Sequence, residues 1–299
     1  MTPEVIPWMS PCLSQSMSFV LAGIGHPMKF RRGDLIYTSP GLFGNLMYVR
    51  SGFVVKALLD PVRDEPLLLS MAGPGALCGN YENLYVRDRM PRRHWCLTST
   101  EVLVVNQELL LKIADQNPEW QHELSGYSSV SSICDRMGMF LNYSGTVEER
   151  LGALLLLMLH CGKPAAMANL FSKGVEWVEL PFYPDKGTIA RLLGCKFETV
   201  SDVVRQWGSH DDIRRRSRRI WLRRRTFLKY WEWLMPFMQQ SRAEERRALE
   251  EANVRAYEEK QARAARKAEE RHDPIRVKSR VKAPSSPIEG HLGRTAADV

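Results

Sequence analysis

The sequence predicts an α+β chain with an all-β first part and a helical, basic second part. Three observations predict it. From Lys29 to Val105, short apolar runs are broken by glycine and proline about every 8–15 residues, the texture of a sandwich or barrel rather than of βαβ units. From Asn106 onward, apolar residues recur at helical spacing. The formal net charge of +8 is unevenly placed. The first half is nearly neutral, and the basic excess gathers between Asp185 and Trp231, which points to a polyanionic partner for that segment alone.

The β part is carried by KFRRGDLIYTSPG, NLMYVRSGFVVKALL, EPLLLSMAGPGALCG and STEVLVV. NQELLLKIADQN, Asn106–Asn117, reads as a helix, and Asn117-Pro118 marks a boundary. A long helix is expected over Glu119–Leu141. Its apolar or small residues fall at Leu124, Tyr127, Val130 or Ser131, Cys134, Met137 or Gly138, and Leu141. So narrow a stripe suits a seam between two copies; the alternative is a helix lying on its own domain. Asn142–Thr146 breaks that helix. VEERLGALLLLMLHCG then starts another, with acidic residues in the first turn where the helix dipole favours them. Lys163–Gly174 reads as a small-residue loop and GVEWVELPFY as a short strand.

In GTIARLLGCKFETVSDVVRQW, Asp185 caps a helix of about Lys186–Leu193 with Ile189, Leu192 and Leu193 inward. Gly194 permits a tight turn. A second helix, about Phe197–Trp207, buries Val200, Val203 and Val204 and turns Lys196, Phe197, Glu198, Ser201, Asp202 and Arg205 outward. This is helix-turn-helix patterning, whose second helix enters a major groove, although any αα-hairpin with a glycine turn looks similar. A hairpin follows with Arg214, Arg215, Arg216, Arg218, Arg219, Arg223, Arg224 and Arg225 around Ile220, Trp221 and Leu222. It looks like a basic wing that neutralises phosphates; the bland reading of an arginine run is a solvated face. A helix follows the hairpin. Arg242–His272 alternates acidic and basic residues and reads as a solvated helix held by i,i+4 ion pairs. From Asp273 the composition is that of a disordered tail.

The six cysteines show no CxxC or zinc-finger spacing, and reduced thiols in a cytoplasm are expected. No GxSxG, HExxH, Walker A or GxGxxG occurs, and Glu148-Glu149 reads as a helix start and not as an acid–base dyad. The chain is therefore read as a non-enzyme, with no catalytic residues, no metal site and no cofactor. Heme at Cys78 or His94 has no motif behind it.

With these residues in view, Phe30–Trp231 resembles the Crp/Fnr transcription regulators. The most specific pieces are Gly33 and Gly52 after the first β runs, the EERL helix start, and IARLLGCKFETVS. The resemblance implies an N-terminal double-stranded β-helix (jelly roll) of cyclic-nucleotide-binding type, a long dimerisation helix, a C-terminal winged helix-turn-helix and, beyond it, a charged helical tail. It implies a homodimer that binds double-stranded DNA at a palindromic operator, with RNA polymerase as a further partner and no membrane. Lys196, Phe197, Glu198, Ser201, Asp202 and Arg205 would read bases. Thr188, Thr199, Arg214, Arg215, Arg216, Arg218 and Arg219 would hold phosphates. The effector pocket would be drawn from Gly79, Asn80, Arg87, Arg89, Arg92 and Arg93. Asn80 stands where the family's nucleotide-binding members have a ribose-holding Glu, and none of Arg87, Arg89, Arg92 and Arg93 precedes Ser or Thr, so any small-molecule effector is not expected to be cyclic AMP. Only Cys12 lies near the N-terminus, which speaks against the iron–sulfur branch. Phe197 and Asp202 replace the arginines common in the family's reading head, so a different operator is expected. The expected domains are 1–118 (sensor), 119–145 (dimer helix and hinge), 146–235 (winged helix) and 236–299 (tail). An interaction adaptor keeping the fold, or a non-specific nucleic-acid binder, are the rival readings.

Overall fold

Alternation of inward and outward side chains builds two four-stranded antiparallel sheets. The strands are β1 (His26–Phe30), β2 (Leu35–Ile36), β3 (Asn45–Ser51), β4 (Val54–Leu59), β5 (Pro66–Ala72), β6 (Leu77–Gly79), β7 (Arg92–Cys96) and β8 (Thr100–Asn106). Their orders are β1-β8-β3-β6 and β2-β7-β4-β5. The computed structural model describes residues 5–36, 44–59, 66–79, 81, 92–172, 174–216, 219–238, 255 and 259–263. Residues 1–241 form one compact unit and 242–299 a second. In the second, residue 255 and residues 259–263 are helical and exposed; the rest of the expected charged helix and the tail lie outside the described residues.

Each sheet sends alternate residues to opposite faces. Met47, Val49 and Val102 of one sheet meet Ile36, Val54 and Cys96 of the other in a core between them. The opposite face of the first sheet, with Leu46, Leu77, Leu103 and Val105, packs against helices. These are α1 (Gln15–Ile24), α2 (Gln107–Ala114) and the start of α3 (Pro118–Ser144). α1 was not expected from sequence. Its cap, Ser14, is tied to α3: Glu123 accepts from the Ser14 backbone N–H at 2.5 Å and from its hydroxyl at 2.7 Å. Asn106 caps α2 through Leu109 N–H, close to where the sequence placed that helix.

Two expectations for the long helix change. It runs through Ser144, and the break before α4 (Val147–Gly162) is confined to Gly145 and Thr146. Thr146 and Glu149 form a reciprocal capping box, which stops one helix and starts the next without a loop. The stripe read as a seam is turned inward. Leu124, Tyr127, Ser131, Cys134, Gly138 and Leu141 are buried against their own chain, as the Tyr127 hydroxyl bonds to Leu77 and Pro11 illustrate. The helix lies on its own domain on that face.

α4 is buried from Arg150 to Leu159 on all sides. The outer face of the second sheet, with Val55, Ala57, Leu68 and Met71, joins it in one large core. The remaining elements are α5 (Pro164–Phe171), β9 (Trp177–Glu179), α6 (Lys186–Leu192), α7 (Phe197–Ser209), β10 (Ile213–Arg216), β11 (Arg219–Arg223) and α8 (residues 224–238). α5 occupies the expected loop Lys163–Gly174: Ala, Met and Leu after an initial proline favour a helix, and Met167 and Leu170 give it a buried side. Arg224 and Arg225 belong to α8 and not to the hairpin, and the Arg224 guanidinium donates to the Leu170 carbonyl at 2.7 Å. α8 lays Phe227, Tyr230, Leu234 and Met238 into the core. The Tyr230 ring occupies the space that a Cβ on Gly152 would need, so only glycine allows this approach.

Candidate nucleic-acid interface

Asp185 organises the first helix of the pair. Its carboxylate accepts from Thr188 N–H at 2.9 Å and from the Thr188 hydroxyl at 2.7 Å. Burial alone would raise the Asp185 pKa, but these hydrogen bonds outweigh it and hold the group below the usual carboxylate value. Thr188 is itself 3% exposed, so the structure directs its hydroxyl to the cap and not outward. Ile189, Ala190 and Leu192 face the core. Gly194 has φ +60, the left-handed turn expected of it, and Cys195 N–H closes the turn on the Ala190 carbonyl.

α7 buries Val200, Val203 and Trp207 and leaves its other face open. Lys196, Phe197, Glu198, Asp202 and Arg205 are exposed, and Ser201 and Thr199 are half-buried. Phe197 is 51% exposed, a large aromatic ring with no place in the core. Asp202 meets Arg205 at 2.9 Å, which balances its charge on the open face. Ser201 accepts from Lys186 Nζ at 3.2 Å, which pins α7 to α6. Trp207 Nε1 donates to Glu148 at the start of α4 and to Tyr230 of α8. Glu148 also accepts from Lys229 and from the Tyr230 hydroxyl. Burial would raise the Glu148 pKa, but these donors together lower it. Sequence reasoning had Glu148 only as a helix start; nothing local in the sequence signals partners so far along the chain.

The hairpin β10–β11 pairs Arg214 with Trp221, Arg215 with Ile220 and Arg216 with Arg219, and β9 extends the sheet. Its arginines divide into two groups. Arg214 makes a two-point bond to Asp211, at 2.9 and 2.8 Å, and its guanidinium lies 3.9 Å over the Trp177 ring. Arg223 pairs with Glu176 at 3.1 Å and flanks the same ring. These two hold the hairpin to β9. Arg215, Arg216 and Arg219 are exposed on the strands, with Arg219 loosely paired to Glu179 at 3.5 Å. Arg218 lies outside the described residues. Trp177 is a residue that sequence reading took only as a strand residue.

Of the expected effector pocket, Gly79 is a buried strand residue with φ +93, Arg92 lies in β7, and Arg93 is exposed beside it. Asn80, Arg87 and Arg89 lie outside the described residues. Burial pushes the Cys78 thiol well above its ordinary value, so it is an unreactive core residue. No helix among the described residues is long and apolar enough to cross a membrane.

No family model matches the chain, and no curated protein matches it. Solved structures do. FixK2 from Bradyrhizobium japonicum superposes with a TM-score of 0.53 at 20% identity, covering 69% of this chain and 97% of that one. TTHB099, a transcriptional regulator of the CRP family from Thermus thermophilus, gives 0.52 at 17% identity over 68% and 95%. A cyclic nucleotide-binding domain containing protein from Listeria monocytogenes gives 0.51 at 12% identity over 71% and 99%. The fold is therefore the one found in Crp/Fnr-type regulators and cyclic-nucleotide-binding-domain proteins.

Proposed function

We propose that the chain is a homodimeric transcription regulator of Crp/Fnr type that binds a specific DNA site. The observation that carries this reading is the open face of α7 beside a hairpin with Arg215, Arg216 and Arg219 exposed. Phe197, Glu198, Ser201, Asp202 and Arg205 would meet base edges with Lys196 at the helix start. Glu198 accepts from a cytosine amino group and Phe197 touches a thymine methyl. The hairpin arginines, with Arg218 and Thr199, take phosphates. The strand orders β1-β8-β3-β6 and β2-β7-β4-β5 support reading the first domain, 1–118, as a jelly roll. In the same reading 119–145 is the dimer helix, the winged-helix part runs from 146 to the end of the first unit at 241 because α8 carries Met238 in its core, and 242–299 is the tail.

The dimer seam is proposed on a flank of α3 that keeps Val130 and Met137 of the expected stripe and leaves out its buried members. Gly126, Val130, Ile133, Met137 and Phe140 recur at steps of four and three, the heptad pattern, and all are at least partly exposed. A Cβ on Gly126 would meet nothing within 4 Å among the described residues. Mid-helix glycine destabilises a helix, so close approach by a second copy gives it a reason.

The test is selection of genomic fragments by the purified full chain, with affinity for recovered fragments read at two salt concentrations against random duplex. A palindromic motif bound far above random DNA is expected, with Glu198→Ala costing about 1–3 kcal/mol of discrimination at one position of each half-site. Uniform, salt-sensitive binding to every duplex would instead mark a non-specific binder acting through the hairpin. Absence of DNA binding would sink the reading in favour of a protein-interaction adaptor.

A further inference from the structure

A cleft of about 310 Å³ lies where the C-cap of α4, Lys163, meets strands β9 and β11. Leu180, Pro181, Phe182 and Ile220 form its apolar part. Phe182 is fixed there by Phe53, with ring centroids 4.5 Å apart. The rest of the lining is polar: Lys163, Glu179, Tyr183 and Arg219. The volume lies at the small end of the range for small-molecule sites, and an apolar wall with a few convergent polar groups is the lining such sites have.

The three charged groups hold one another only loosely. Lys163 Nζ lies 3.6 Å from Glu179 Oε2, and an Arg219 guanidinium nitrogen lies 3.5 Å from Glu179 Oε1. A charge-assisted hydrogen bond is shorter, about 2.7–2.9 Å. Partly exposed ion pairs of this kind contribute little, so rearranging them costs little. Tyr183 adds a neutral donor. Its hydroxyl is buried with no hydrogen-bond partner among the described residues, which costs that group its water without replacement. The signs of the charges restrict the ligand. A simple anion is repelled by Glu179, and a simple cation by Lys163 and Arg219. A molecule that carries both signs satisfies all three. Two cations and one carboxylate have as their complement two carboxylates and one ammonium.

We infer that this cleft binds an acidic amino acid of the size of glutamate or aspartate. Its carboxylates pair with Lys163 and Arg219, its ammonium pairs with Glu179, and its methylenes lie on Pro181 and Phe182. A carboxylate there also gives the Tyr183 hydroxyl an acceptor. Arg219 is among the residues assigned above to phosphates, so duplex DNA is the rival occupant and the measurement is made without it. The claim does not rest on DNA binding, and a failure of the DNA selection leaves it standing.

The probes are L-glutamate and L-aspartate, each titrated into the full-length protein by calorimetry at an ionic strength held constant with potassium chloride. Saturable binding of at least one of them is expected. Glutarate and succinate keep the two carboxylates and lack the ammonium. The matching diacid should bind at least about tenfold more weakly, for want of one charged hydrogen bond. Glu179→Gln should abolish that preference, and Arg219→Ala should weaken the amino acid at least about tenfold, both with the melting temperature unchanged. Absence of saturable binding of both amino acids overturns the proposal and leaves Arg219 to DNA alone. Equal binding of the matching diacid also overturns it. So does an undiminished preference in Glu179→Gln, because the ammonium then meets some other group.

Discussion

Among the hairpin arginines, neighbours decide the role. Arg214 is held by Asp211, a non-glycine residue at φ 55, and stacks on Trp177. Arg216 is exposed on a strand. Arg214→Ala should therefore lower the melting temperature, whereas Arg216→Ala should leave it unchanged. Arg216→Ala should weaken DNA binding evenly across sequences and reduce the salt slope by about one, read by titration at several salt concentrations. Glu148 makes a pH prediction. Its folded pKa lies below the ordinary 4.5, so its stabilising contribution is complete above that value and is lost as pH falls through the folded pKa. Glu148→Gln should flatten the decline of melting temperature between about pH 5 and pH 3, measured by thermal denaturation. Glu148 could not be found from sequence as a junction, because its partners Trp207, Lys229 and Tyr230 come from two distant helices. Asp185 and Gly194, whose roles are local to a cap and a turn, were legible at once.

Elements with local signals were read well, and those defined by packing were not. α2, α4, α6 and α7 begin at or within a residue or two of where the sequence places them, and the hairpin strands fall where their alternation does. α3 was found, but of its two readings the seam fails for the stripe's buried members, which follow the alternative of a helix lying on its own domain. Two stripes run along it, one through Leu124, Tyr127, Cys134 and Leu141 and one through Gly126, Val130, Ile133 and Met137. Periodicity alone does not say which one meets the chain's own sheets. α1 and α5 were missed because small residues carry little periodic contrast. Gly126→Ala separates the two stripes. It should stabilise the folded monomer by about 0.5–1 kcal/mol, since nothing among the described residues opposes a methyl there. In the same protein it should weaken dimerisation, seen as a raised dissociation constant in sedimentation equilibrium. Unchanged dimerisation would move the seam off this stripe.

At the scale of the molecule, charge and core follow different divisions of the chain. The exposed face of α7 carries Glu198 and Asp202 against Lys196 and Arg205, so it is nearly neutral, and the hairpin supplies the positive field. Specificity and salt dependence should thus be separable by mutation. The core does not respect the boundaries that composition draws. One cluster contains Ile6 and Trp8 near the start and Leu234 and Met238 near the end of the first compact unit. A chain ending at Arg223 lacks Phe227, Tyr230 and Leu234, each worth about 1.5–3 kcal/mol when fully buried. Against a typical domain stability of about 5–15 kcal/mol, that shortened chain should fail to fold, which its soluble yield and circular dichroism would report.

α8 also has a consequence in time. A ribosome emits the β strands and the DNA-reading helices well before the segment around Leu234 clears its exit tunnel. Until then Gly152 has no ring against it and the cluster around Trp207 is incomplete. The nascent chain must therefore carry its most basic surface, exposed and unfinished, among nucleic acids while it waits for the last fifteen or so residues of its first unit.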